Sequence, residues 1–130
     1  MRTQDWAERL HAAVTAEIER PFAWGDADCI TLARAAMKAC RGPTWEFPVS
    51  TTWKTEAGAA KVIARLSNGR GLAEVFAGYC EEVPPVMAQR GDIGILKNAA
   101  LVCVGNGFVG KSLDGKVFLP PASIERAFRT

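Results

Sequence analysis

One histidine, His11, is all the imidazole the chain contains, so any acid–base chemistry of that kind has to run through a single residue. The four cysteines, Cys29, Cys40, Cys80 and Cys103, are too few and too widely spaced for a disulfide-stapled mini-domain. None forms the Cys-x-x-Cys pair that suggests zinc, so reduced thiols, no metal and no cofactor are expected. Long apolar runs are missing too: the stretch between Asp92 and Asp114 is interrupted by Lys97 and Lys111, short of the roughly 18 residues a membrane helix needs. Nor is there an excess of one charge. Sixteen Lys+Arg against fourteen Asp+Glu leave +2, scattered rather than gathered into the basic patch that nucleic acid requires. The start, Met1-Arg2-Thr3-Gln4-Asp5, turns acidic at once and lacks the apolar core of a secretory signal. The expectation is a chain kept in the cytoplasm or carried out by something larger.

What is present fits one ordinary domain over 1–130. A chain of 130 residues that is 48% apolar can bury a real core. Trp6, Leu10, Ala13, Val14 and Ile18 recur at helical spacing across Thr3 to Glu19, with Thr3 as N-cap and Pro21 beyond the end. After Pro21-Phe22-Ala23-Trp24-Gly25, a second stripe holds Cys29, Leu32, Ala33, Ala36, Met37 and Cys40 and closes at Gly42-Pro43. Asp26 or Asp28 would cap it, which puts Cys29 in its first turn. A link with Pro43, Trp45, Phe47, Pro48 and Trp53 leads to a helix over Thr55 to Leu66. Leu72, Val75, Phe76, Tyr79 and Cys80 then mark a short fourth helix. Trp24, Trp45 and Trp53 cluster in the irregular connections, where two of the three are expected to fill core and an exposed one would mark a partner surface.

From Gly91 the pattern changes. Ile93-Gly94-Ile95-Leu96, Leu101-Val102-Cys103-Val104, Phe108-Val109 and Val117-Phe118-Leu119 are β-rich runs separated by Asn98, Gly105-Asn106-Gly107 and Asp114-Gly115. Gly94 and Gly110 inside these runs suggest bulges or close approaches. Helices followed by a meander argue α+β, with helices at about 3–82 packed on an antiparallel sheet of four to five strands at about 91–120.

Chemistry concentrates at Cys29. A thiol in the first turn of a helix meets the positive end of the macrodipole and free backbone N–H groups, which favour thiolate and can receive an oxyanion. The same residue shares a stripe with Leu32 and Ala36, and free cysteine is among the most buried residue types, so nucleophile and core residue are both open on position alone. For Asp26 and Asp28, capping and dipole compensation suffice for at least one. Asp92, after Gly91, pairs with Arg90 or holds a turn and is given no catalytic role.

The stretch Phe22-Ala23-Trp24-Gly25-Asp26-Ala27-Asp28-Cys29 and the helix after it resemble the nucleophile segment of NlpC-type papain-like cysteine peptidases. Arg90-Gly91-Asp92-Ile93-Gly94-Ile95-Leu96 is similar to the strand that precedes the base histidine in that family, and Ala100-Leu101-Val102-Cys103-Val104-Gly105-Asn106-Gly107 to the histidine strand and its turn. These segments span about 22 to 110 in the family's order, with the flavour of the phage and prophage tail-associated branch. The resemblance implies a papain-like fold with Cys29 in the nucleophile position. It also places the base near Ala99-Ala100-Leu101, where this sequence has no histidine. Losing general acid–base help costs about 10²- to 10⁴-fold, and Lys97, Asn98 and Asn106 do not supply it. His11 belongs to the first helix, whereas the family draws its base from the sheet.

Two functions follow as expectations. One is a phage or prophage tail-tip or baseplate component, built on an inactive NlpC-like domain with Cys29 as a vestigial nucleophile. Its partners would be other tail and baseplate proteins, with peptidoglycan a further one, and it would pass from host cytoplasm to virion tail; Trp45, Trp53 and Ala127-Phe128-Arg129 are the candidate contacts. The other is an active peptidoglycan endopeptidase or amidase using Cys29 with an unorthodox base. A more distant third is a binding module unrelated to phage.

Overall fold

The computed structural model describes residues 2–47 and 49–130; Pro48 of the connecting link lies outside them. Four helices, α1 (Trp6–Glu19), α2 (Cys29–Arg41), α3 (Glu56–Ser67) and α4 (Leu72–Ala77), precede all the strands of a sheet made of β1 (Glu82–Val83), β2 (Ile93–Leu96), β3 (Ala99–Cys103), β4 (Phe108–Ser112), β5 (Gly115–Leu119) and β6 (Arg126–Phe128). The strands run antiparallel in the order β1-β6-β2-β3-β4-β5. The architecture is α+β.

Helix α2 is the hub. Its stripe buries Leu32, Ala33, Ala36 and Cys40 completely, and the small alanines let it lie close against α1 on one side and β3 and β4 on the other. α1 contributes Leu10 and Val14 to the same core. Along β3, Ala100 and Val102 face the helices, while Leu101 and Cys103 join Phe108 and Ile124 in a second cluster on the opposite face. Gly94 stands where a Cβ would meet the Phe108 ring at 2.7 Å, so the close approach anticipated there is real and belongs to that second cluster. At Gly110 a Cβ would lie 3.0 Å from Leu101.

The hairpins close as their turn residues require. Leu96 pairs with Ala99 across Lys97-Asn98, both left-handed at φ 48° and 61°, the geometry of a two-residue turn whose twist matches the strands. Ser112 pairs with Gly115 across Leu113-Asp114.

Several details depart from the sequence reading. The sheet has six strands rather than four or five, because β1 and β6 lie outside 91–120 and β6 inserts between β1 and β2. Thr3 does not cap α1: Asp5 holds the N-cap position without a side-chain hydrogen bond, and the Thr3 N–H donates to the Cys40 carbonyl at 2.8 Å. α4 stops at Ala77, leaving Tyr79 60% exposed. Asp92 does not pair with Arg90. It is fully buried and holds the turn, as the other half of that expectation had it, accepting from the Gln89 N–H at 2.8 Å, and it also accepts from Arg2 Nη2 at 2.9 Å and the Thr130 N–H at 3.1 Å, joining two distant parts of the chain to that turn. Trp53 is buried, and Ala127 and Phe128 are completely so because β6 is an interior strand, so these three are not a contact surface; of that group Arg129 alone is half-exposed. Trp45 is half-buried, edge-on to Phe47 at 6.0 Å.

Candidate functional site

Cys29 is the first residue of α2, and the segment before it folds into a tight loop that fixes it there. Ala23 and Ala27 exchange backbone hydrogen bonds at 3.1 and 2.8 Å. Gly25 turns at φ 80°, and a Cβ on it would lie 1.9 Å from the Trp53 carbonyl oxygen, so only glycine fits. Asp28 completes the knot. Its Oδ1 accepts from the N–H groups of Ile30 and Thr31, both at 3.0 Å, and its Oδ2 from the Gly25 N–H and Trp53 Nε1, both at 2.8 Å. Thr31 Oγ1 accepts the Asp28 N–H at 2.8 Å, which closes a capping box. Asp28 is therefore the cap, while Asp26 is exposed and pairs with Arg20 at 3.2 Å.

The thiol is not activated by this position. Burial pushes the Cys29 pKa up to about 11, and the neighbouring Asp28 charge adds to the rise; the backbone N–H groups of Ala100, Cys29 and Ile30 pull it down without prevailing. The dipole argument is correct in sign and too small here: its donors are partly engaged by Asp28, and desolvation of the sulfur dominates.

Cys29 opens onto a cavity of about 570 Å³, within the range of small-molecule sites. Phe22 and Trp24, edge-on at 5.0 Å, line one part of it. The α3 residues Ala60 and Ile63, the hairpin residues Lys97 to Ala99, and Lys111 to Leu113 line the rest. Asn98 Oδ1 accepts the Leu72 N–H at 3.1 Å, so the β2–β3 turn also anchors the start of α4.

Of the residues singled out from sequence, Cys29 and Asp28 meet in this cavity with Lys97 and Asn98. His11 does not line it, and stands exposed on α1. The strand start that the resemblance would give to histidine carries Ala99 and Ala100, and Ala99 lines the cavity with Cys29. Two residues of the site were not placed in it from sequence: Trp53 was read as core or contact surface, and Lys111 only as a break in an apolar run. Trp53, 25 positions away, is the second anchor of the Asp28 carboxylate. Lys111 is 9% exposed, and its Nζ has no hydrogen-bond partner among the described residues. Its signal was available: Lys111 follows Val109 by two in β4, so it shares the helix-facing side of the sheet. Burial lowers its pKa, against the raising influence of Glu17.

All four cysteines are free. Among the described residues no group of three His, Cys, Asp or Glu side chains could hold a metal ion, and no helix is long and apolar enough to cross a membrane.

A model for a domain of unknown function, DUF6950, matches residues 1–130. The chain belongs to that family. No curated protein and no solved structure matches it. Within a DUF6950 domain, the loop knotted by Gly25, Asp28 and Trp53 and the cavity above Cys29 are the features from which a function has to be argued.

Proposed function

We propose that this domain is a non-catalytic relative of the NlpC-type papain-like peptidases, serving as a component of a phage or prophage tail tip or baseplate. The observation that carries the non-catalytic half is the buried Cys29 thiol beside a β3 that starts on Ala99 and Ala100: alanines stand where an imidazole would be needed, and His11 is exposed on α1. A cysteine whose pKa is raised to about 11 is a neutral thiol at pH 7, and with no base to take its proton it is a poor nucleophile. A helix opening on Asp-Cys and packed on an antiparallel sheet supports the papain-like reading. The tail assignment rests on the resemblance of the segments at 22–29, 90–96 and 100–107 to the tail-associated branch.

Both halves are open to experiment. Purified protein incubated with peptidoglycan and with cell-wall peptides is expected to release no product, and turnover that disappears in Cys29→Ala would overturn the non-catalytic reading in favour of an endopeptidase or amidase. Fractionation of particles from the encoding phage or prophage is expected to recover the chain with assembled tails. Recovery only as free protein would overturn the tail reading.

A further inference from the structure

The sheet ends at β5, and among the described residues no strand pairs with its outer edge. β1, at the other end, is two residues long, whereas β5 runs for five. An open edge of that length is a template for a further strand. Pairing with β4 decides which of its backbone groups are free. Ser112 and Gly115 close a two-residue turn as a hydrogen-bonded pair, and the alternation of an antiparallel ladder then commits Val117 and Leu119 to β4 as well. Lys116 and Phe118 turn their N–H and C=O groups outward.

Both side chains are exposed, Phe118 by 52%, on the face they share with Lys111 and Val109. A Cβ on Gly107 would lie 2.5 Å from the Phe118 ring, so one side of the ring rests on bare backbone while the other meets solvent. A strand that docks on this edge has to bring outward groups at the same spacing, and β5 of a second copy does so. Setting Lys116 against Phe118 of the second copy, with Val117 on the two-fold axis, satisfies the outward groups of both residues in both copies. The neighbouring registers are worse. A shift of two residues one way opposes Lys116 to itself, and the other way opposes it to Pro120, which has no N–H. In the favoured register the two opposed Cβ atoms are about 5 Å apart, which brings an ammonium to an aromatic ring on each side of the axis. A net charge of +2 leaves little repulsion between whole copies.

We infer that β5 is a self-association edge, through which two copies of this chain join by antiparallel β5–β5 pairing about a two-fold axis at Val117 into one continuous sheet. This goes beyond the tail reading and does not depend on it, because neither Cys29 nor a tail partner enters. Five residues a side bury less than the roughly 1,200–2,000 Å² of a stable interface, so the dimer is a weak one, with a Kd of about 10–100 μM.

Sedimentation equilibrium of the native protein from about 5 μM to 1 mM, a range that brackets that Kd, is expected to show the mass doubling with concentration. Phe118→Pro removes the ring and one outward N–H without touching the β4 ladder, and is expected to stay monomeric throughout. Val117→Cys gives a readout that does not depend on that variant. The axis sets the two Val117 positions about 4.5 Å apart at Cα, close enough for a disulfide. Oxidised glutathione, itself reduced in the exchange, is expected to link them into a covalent dimer and to leave the native protein unlinked. Native protein that is monomeric at every concentration, a dimer undiminished in Phe118→Pro, or Val117→Cys linked no more than the native protein would each overturn the proposal.

Discussion

Both oxygens of Asp28 are occupied by N–H donors from three parts of the chain, and removing the carboxylate would leave the Gly25 N–H and Trp53 Nε1 buried and unpaired. Asp28→Ala is expected to cost about 3–5 kcal/mol in urea unfolding. Asp28→Asn is expected to cost less, because one acceptor survives while the amide NH2 must oppose a donor. Lys111 acts in the opposite direction. Its pKa is lowered from 10.5 by burial, so the folded state holds its proton less tightly than the unfolded state, and charging it penalises folding below the lysine range. Lys111→Met is therefore expected to raise the melting temperature at pH 7. That advantage should shrink as pH rises through the lowered folded value and be largely gone above 10.5, where the unfolded lysine has lost its charge too. Melting curves of the two proteins from pH 7 to 11 check this. An advantage that is constant with pH would show that the gain is packing rather than charge.

At the scale of elements, Asn98 has two tasks that separate by mutation. It sits at φ 61° in the β2–β3 turn and accepts the Leu72 N–H at the start of α4. Asn98→Gly keeps the turn and loses the cap, and is expected to cost about 1 kcal/mol by denaturant unfolding. Asn98→Ala loses both and should cost about 1 kcal/mol more. If the two variants are equally stable, the left-handed turn is not what Asn98 provides. Helix α2 was legible in the sequence because stripe, cap and stop signals agree there, Asp28 with Gly42. β1 and β6 were not legible: two and three residues long, they are too short to carry a period. β6 is a strand because β2 and β1 offer it unpaired backbone on both sides, which is a tertiary cause. The site was legible in part for the same reason. Cys29 and Asp28 stand in one local motif, whereas Trp53 and Lys111 reach it from 25 and 82 positions beyond Asp28 and Cys29, through the fold alone.

Across the whole molecule, desolvation governs the thiols. Burial raises the pKa of Cys29, Cys40, Cys80 and Cys103 alike from 9.0. A raised thiol pKa means that the folded state keeps protons which the unfolded chain releases, so this contribution to stability is fully present below pH 9 and is lost as pH climbs through the folded values, about 11 for Cys29. Alkaline unfolding should accordingly set in above pH 9 and be delayed when Cys29 is replaced by alanine in a variant that still folds. The central claim, that the helix-terminal thiol is a neutral structural group rather than a poised nucleophile, is tested most directly by the pH dependence of Cys29 alkylation with iodoacetamide, followed by peptide mass spectrometry on native and unfolded protein. The account predicts a native rate at pH 7 about a hundredfold below that of the unfolded chain, rising with an inflection near pH 11, as a shift from 9.0 to about 11 requires. An inflection below pH 8.5, or native labelling faster than unfolded labelling at pH 7, would contradict it.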